Sequence, residues 1–156
     1  MFAAVFAAAL ASAPLQSDDI ARNVLVDVCL PFVNGDSDRA AVEFLGFTVA
    51  SEQGMVVDMV SSDPRQAYLL RLAGDDDADD GAVQRSCTLQ ARGTALDAVK
   101  RAIRQPLEQA GFVSEPTEAA NRLIWTRQGV TVAVRQNEGR ATVVRVSYSS
   151  LEVSGG

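Results

Sequence analysis

Two hydrophobic patterns meet in the middle of the chain. Apolar and polar side chains alternate over residues 83–92, which is typical of a strand with one buried face. The apolar side of this strand carries Val83, Cys87 and Leu89. Apolar residues then recur at helical spacing, at Leu96, Val99, Ile103, Leu107 and Ala110. We therefore predict that a helix at 94–109 packs on the apolar side of the strand at 83–92.

The ends and the exposed side of this helix can also be predicted. Thr94 and Asp97 have the spacing of a capping box, so Thr94 is expected at the N-cap. Pro106 removes one helical hydrogen bond and predicts a kink or a break. Lys100 and Arg104 lie away from the apolar stripe and should be exposed.

Two further helices are predicted near the amino terminus. The first begins at Ser17 and is expected to end at Pro31, because proline cannot donate the next helical hydrogen bond. Asp36 or Ser37 is expected to cap the second, which runs to Leu45.

The remaining apolar runs predict strands at 55–60, 67–73, 123–127, 130–135 and 141–149. With the strand at 83–92 they predict an α+β fold, an antiparallel sheet of about six strands with helices packed on one face. Residues 17–150 are predicted as one domain and residues 151–156 as a flexible tail. Gly46-Phe47 and Gly111-Phe112 follow corresponding helices, so a duplicated αβββ unit stays open as an interpretation.

Residues 1–13 are an uncharged, alanine-rich apolar run that ends in small residues. This pattern is typical of a secretory signal peptide, with cleavage after Ala11 or Ala13. The alternative is an uncleaved segment that attaches the protein to a membrane. We expect export to the periplasm or secretion, with no membrane span after cleavage.

Charge and composition exclude several functional classes. The net charge of −6 argues against nucleic acid as a partner, because nonspecific binding of that kind depends on basic charge. The chain has no histidine, which removes the common Ser-His and Cys-His nucleophile pairs and the usual zinc sites. The acidic run at 75–80 matches a calcium loop only in part, since Asp80 replaces the required glycine. We expect a solvated loop there, with no metal and no cofactor.

Cys29 and Cys87 are the only cysteines. An even number in an exported chain predicts a disulfide between them. Two buried free thiols and one reactive cysteine are the alternatives, and the second is disfavoured because no Cys-x-x-Cys pair is present.

No catalytic constellation emerges from the sequence. A small hydrolase that works without histidine would need a pair of carboxylates, and the candidates are Glu43, Glu52, Asp58 and Glu115. Nothing in their spacing singles out a pair. Trp125 fits a strand in the core better than a sugar-stacking site.

Four arginines alternate away from the apolar side of their strands, and they are Arg71, Arg92, Arg135 and Arg145. They are predicted to project from the helix-free face of the sheet. A guanidinium pairs with carboxylates and phosphates through two hydrogen bonds, so this face is a candidate binding site for a small anionic ligand or an envelope protein. Ordinary solvation and pairing with acidic neighbours is the alternative.

Three short segments carry a resemblance: Val28-Cys29-Leu30-Pro31, residues 40–47 ending in Leu-Gly-Phe, and the lone downstream Cys87. Together they resemble small exported alphaproteobacterial proteins without an assigned activity. The resemblance covers mainly the first two thirds of the chain, implies paired cysteines and carries over no catalytic residue. We therefore expect a non-catalytic, disulfide-stapled envelope module, with the carboxylate hydrolase as the alternative.

Overall fold

The computed structural model describes residues 17–62, 67–75 and 82–153. The predicted signal peptide at 1–13 and residues 76–81 of the acidic run lie outside these ranges. Among the described residues, no helix combines the length and the apolar character that a membrane crossing needs.

The amino-terminal helix is longer than predicted. It runs as α1 (Ser17–Asn23), a π-helical segment (Val24–Cys29) and α2 (Leu30–Val33). Pro31 does not end it, because it lies in the first turn of α2, where its missing N–H leaves no essential bond unmade. The π-helical hydrogen bonding continues up to the residue before Pro31, where the Leu30 N–H donates to the Leu25 carbonyl, five residues back.

The short helix α3 (Arg39–Phe44) is capped by Asp38, not by Asp36 or Ser37. The Asp38 carboxylate accepts hydrogen bonds from the backbone N–H groups of Ala40 at 2.9 Å and Ala41 at 3.3 Å. All three acidic or hydroxyl residues are plausible caps in sequence, and only the path of the loop distinguishes them.

The sheet has eight antiparallel strands, not about six, in the order β1-β2-β3-β4-β8-β7-β6-β5. The strands are β1 (Phe47–Gln53), β2 (Val56–Ser61), β3 (Tyr68–Asp75), β4 (Gln84–Ala91), β5 (Val113–Glu115), β6 (Arg122–Arg127), β7 (Val130–Gln136) and β8 (Thr142–Ser149). The two that the sequence pattern missed are the edge strands β1 and β5. Almost all of their residues are exposed, so neither shows the alternation that identifies a half-buried strand.

The strand order is symmetric about the central pair β4 and β8. Each half consists of helix followed by four strands, one strand more than the αβββ unit considered above. Gly46 and Gly111 occupy equivalent places, with φ of +83° and +82°, and residues with a side chain rarely adopt this conformation. Each glycine is followed by a buried phenylalanine, Phe47 or Phe112.

One face of the sheet forms the core. A row of facing apolar residues crosses it, and the row is Val57, Leu72, Cys87, Val146, Val132 and Trp125. The helix α4 (Leu96–Gln109) contributes buried Val99, Ile103 and Leu107, while Lys100 and Arg104 are exposed as predicted.

The position of α4 over the sheet differs from the prediction. The helix lies over β7 and against α1, whereas the π-helical segment and α2 cover β4. The Cys29–Cys87 disulfide joins the last residue of the π-helical segment to β4, in agreement with this arrangement.

Long-range contacts also decide how α4 begins. Ala95, not Thr94, is at the N-cap, and it makes no side-chain cap. The Leu96 N–H instead donates to Oε1 of Gln136 from β7, at 3.0 Å. The helix continues through Pro106 to Gln109. At the carboxyl end of the described chain, α5 (Ser150–Val153) adds a helical turn.

Candidate functional site

The face opposite the core is defined by the strand register. One row of facing residues runs from β2 to β5 on this outer face, and it is Asp58, Arg71, Thr88, Arg145, Ala133, Ile124 and Glu115. A neighbouring row is Leu69, Gln90, Val143, Arg135 and Arg122. These residues are half-buried or exposed, so the outer face is accessible to a ligand.

The structure brings the four arginines singled out in the sequence to this outer face. Arg71, Arg135 and Arg145 occupy outer positions of β3, β7 and β8. Arg92 lies in the turn that follows β4 and lines one depression together with Arg135. All four side chains are exposed.

Arg71 forms an ion pair with Asp58, whereas Arg92, Arg135 and Arg145 form none with a described residue. Its Nε donates to Oδ1 of Asp58 at 2.6 Å, and its Nη2 donates to Oδ2 at 2.9 Å. The hydrogen bonds from Arg71 hold the pKa of the Asp58 carboxyl below its ordinary value. This two-point pair satisfies Arg71 within the fold, so Arg71 is the weakest of the four as a ligand-binding residue.

Two further arginines complete the site. Arg122 directly faces Arg135 across β6 and β7. Arg140, in the turn between β7 and β8, lines the same depression as Arg92 and Arg135. The sequence pattern missed Arg122 because the predicted strand began one residue later, and Arg140 because turn residues have no alternation to place them. The arginine cluster is defined here as Arg92, Arg122, Arg135, Arg140 and Arg145.

The strands that carry the arginine cluster hold no acidic residue at their outer positions, and Glu138, in the turn between Arg135 and Arg140, is the acidic residue nearest to the cluster in sequence. The outer positions of β4, β8, β7 and β6 hold no Asp or Glu. Within the described part of the chain, none of the five guanidinium groups makes an ion pair. Arg122 and Arg135 are like charges directly opposite each other, an arrangement that destabilises a sheet. A chain with a net charge of −6 thus places five arginines that form no ion pair with a described residue on one surface.

Two open depressions contain Arg135, while Arg145 also lines a depression that it shares with Asp58 and Arg71. The first, of about 450 Å³, contains Arg92, Arg135 and Arg140. The second, of about 410 Å³, contains Arg122, Arg135 and Arg145. Arg135 and Val143 line both depressions, so the two are adjacent parts of one surface.

The carboxylates considered for a hydrolase do not come together. Asp58 and Glu115 share the outer row but are six strand positions apart, which corresponds to roughly 29 Å at ~4.8 Å per strand. Glu52 is paired with Arg39 of α3 at 3.2 Å, on the other face of the sheet edge. Glu43 is exposed on α3. A carboxylate pair for glycoside hydrolysis requires a separation of about 5–9.5 Å, so Asp58 and Glu115 cannot act together.

The structure also places the cysteines, the tryptophan and the start of the acidic run that the sequence singled out. Cys29 and Cys87 form the predicted disulfide, with their Cα atoms 5.2 Å apart and both residues fully buried. Trp125 is buried in the core row, as its strand pattern indicated. Asp75 ends β3, and residues 76–80 of the acidic run, where a solvated loop was expected, lie outside the described residues. In the ranges that are described, no three acidic or cysteine side chains gather as metal ligands do.

Comparison of the chain with family models, with curated proteins and with solved structures found no match. The functional argument therefore depends on the geometry of the outer face.

Proposed function

We propose that this protein is a non-catalytic binding module whose arginine cluster captures an anionic ligand or partner on the outer face of the sheet. The observation that carries the proposal is that Arg122 directly faces Arg135 across strands whose outer positions hold no Asp or Glu. Nearby acidic residues would relieve this repulsion, as Asp58 does for Arg71. A bound anion would relieve it in the same way.

The proposal is tested by titrating the protein with citrate and with pyrophosphate, using isothermal titration calorimetry at low ionic strength. We expect saturable binding of at least one of the two anions. The double variant Arg92→Gln/Arg145→Gln should weaken this binding by about tenfold or more, since hydrogen bonds to charged groups contribute about 1.5–3 kcal/mol each. Its melting temperature should hardly change, because both side chains are exposed.

A matched control removes the same charge from another surface. Lys100→Gln/Arg101→Gln neutralises two exposed cations on α4, on the opposite side of the molecule. This control should bind the anions nearly as well as the unaltered protein. Equal losses in both variants, or no saturable binding of either anion, would reject the arginine cluster as a binding site.

We also infer that the protein is exported as a disulfide-stapled module. Support comes from the signal-like run at 1–13 and from the buried Cys29–Cys87 disulfide, since disulfides persist in oxidising compartments. The resemblance to small exported proteins points the same way. Fractionation of an expressing bacterium, with mass spectrometry of the amino terminus, should find a chain that begins after Ala11 or Ala13 outside the cytoplasm. An intact, reduced chain in the cytoplasmic fraction would contradict export.

A further inference from the structure

We propose that the ligand of the arginine cluster is an extended acidic segment of a partner protein, with carboxylates at alternate positions. This inference rests on the anion-binding function proposed above and narrows it to one class of ligand. Its starting point is the way in which the two depressions share Arg135.

The shared arginine calls for a ligand with several charges. Arg92 and Arg140 approach Arg135 in one depression, and Arg122 and Arg145 approach it in the other. The span from β6 to β4 is three strand spacings, or about 14 Å. A single small anion can neutralise only one side of this surface. A ligand that neutralises both sides must carry anionic groups at a defined separation.

Along the strand direction, the arginines are offset by the repeat of an extended peptide, although they belong to three neighbouring strands. Val143 faces Arg135 across the strands, and Arg145 lies two residues farther along β8, a step of about 7 Å. Arg92 lies beyond the same row on its other side, since it follows Gln90, which faces Val143. In an extended chain, alternate side chains point the same way and are also about 7 Å apart. With the strand spacing of ~4.8 Å included, the backbone of Arg145 lies roughly 8.5 Å from that of Arg135, and the backbone of Arg92 lies roughly 12 Å from it on the other side. Arginine side chains are long enough to bring their guanidinium groups to carboxylates at alternate positions of such a peptide.

The rest of the surface suits a peptide better than a simple polyanion. Val143 gives both depressions an apolar floor, and Asn137 lines both of them. Gln90 and Asn121 each line one depression. Primary amides both donate and accept hydrogen bonds, as a peptide backbone requires, whereas a polyphosphate chain presents only acceptors. β4, β8 and β7 are paired on both sides, so recognition must use side chains and not the addition of a strand.

The test compares two peptides of identical composition by fluorescence anisotropy. The alternating peptide is acetyl-Glu-Ser-Glu-Ser-Glu-amide, and the contiguous peptide is acetyl-Ser-Glu-Glu-Glu-Ser-amide, each with the same dye. The unaltered protein should bind the alternating peptide about tenfold more tightly or better. Because the net charge and composition of the peptides are equal, this preference reports how many carboxylates an extended chain places on one side, three in the alternating peptide and two in the contiguous one.

Variants of Arg135 then test whether the preference depends on this arginine, which lines both depressions. Arg135→Gln should weaken binding of the alternating peptide by about tenfold or more and remove the preference. Arg135→Lys keeps the charge but loses the two-point geometry, so it should retain general anion binding and lose most of the preference. Arg101→Gln on α4 is the control and should retain the preference. Melting temperatures of the variants show whether they are folded.

The outcomes separate this inference from the proposed function. Equal affinity for the two peptides, with both dependent on Arg135, would overturn the extended acidic segment and leave anion binding in place. Tighter binding of pyrophosphate or of a sulfated oligosaccharide than of the alternating peptide would also overturn it, in favour of a different ligand class. If neither peptide, nor citrate, nor pyrophosphate binds, the proposed function itself fails.

Discussion

The disulfide provides the sharpest prediction about stability. Cys29 and Cys87 are 58 residues apart in sequence, and the bond closes this long loop in the unfolded chain. The chain-entropy relation for such a loop gives a stabilisation of ~4 kcal/mol. This value would be a large part of the stability of a single domain, which is typically about 5–15 kcal/mol.

Urea denaturation of the same chain, with and without a strong reductant, measures this contribution directly. Reduction should lower the free energy of unfolding by ~4 kcal/mol and the melting temperature by roughly 10–15 °C. The denaturant m-value should rise, because an unfolded chain without the crosslink exposes more surface. The Cys29→Ala/Cys87→Ala variant is the control and should not respond to the reductant. A difference below about 1 kcal/mol between the oxidised and reduced proteins would refute the entropic argument.

Three further predictions concern single side chains. Ile103→Ala should lower the free energy of unfolding by about 2–5 kcal/mol, because Ile103 is fully buried. Urea denaturation measures this loss, and a value under about 0.5 kcal/mol would contradict the place of Ile103 in the core. The Asp58 carboxyl should titrate below its ordinary pKa of 3.8 in an NMR titration, and Arg71→Gln should move it back up. Because the folded-state pKa is the lower one, the Asp58–Arg71 pair stabilises the fold above the ordinary pKa and loses this effect as the pH falls through the folded-state pKa. Arg122→Gln should stabilise the protein by about 0.2–1 kcal/mol at low salt by relieving its repulsion with Arg135, and an equal gain in 1 M NaCl would argue against a charge effect.

The strands that could be predicted from the sequence are those with one buried and one accessible face. Strands β3, β4, β7 and β8 alternate between a buried and an accessible face, and their residues show it. The edge strand β1 buries only Phe47, so its sequence carries no alternation to detect. The α+β class was therefore predictable, while the two strands at the edges were not.

The start of α4 was also hard to predict, because the contact that fixes it is made by a residue distant in sequence. Gln136 is far from Leu96 in sequence, yet it replaces the local cap that Thr94 was expected to supply. In the amino-terminal helix, Pro31 follows the π-helical segment and lies in the first turn of α2, so it does not end the helix as the sequence predicted.

The candidate site was predictable in part for a similar reason. Alternation placed Arg135 and Arg145 on the outer face before their neighbours were known. Alternation could not reveal that Asp58 forms an ion pair with Arg71, because that pairing depends on the register between β2 and β3. The position of Arg122 opposite Arg135 likewise depends on register.

Arginine side-chain NMR tests the central claim most directly. The Nε–Hε resonances of the unaltered protein would be followed during a titration with pyrophosphate at low ionic strength. Anion binding by the arginine cluster predicts saturable shifts for Arg92, Arg135 and Arg145, with Arg101 on α4 unchanged. No saturable shift at those three arginines, or equal shifts at Arg101, would contradict the account.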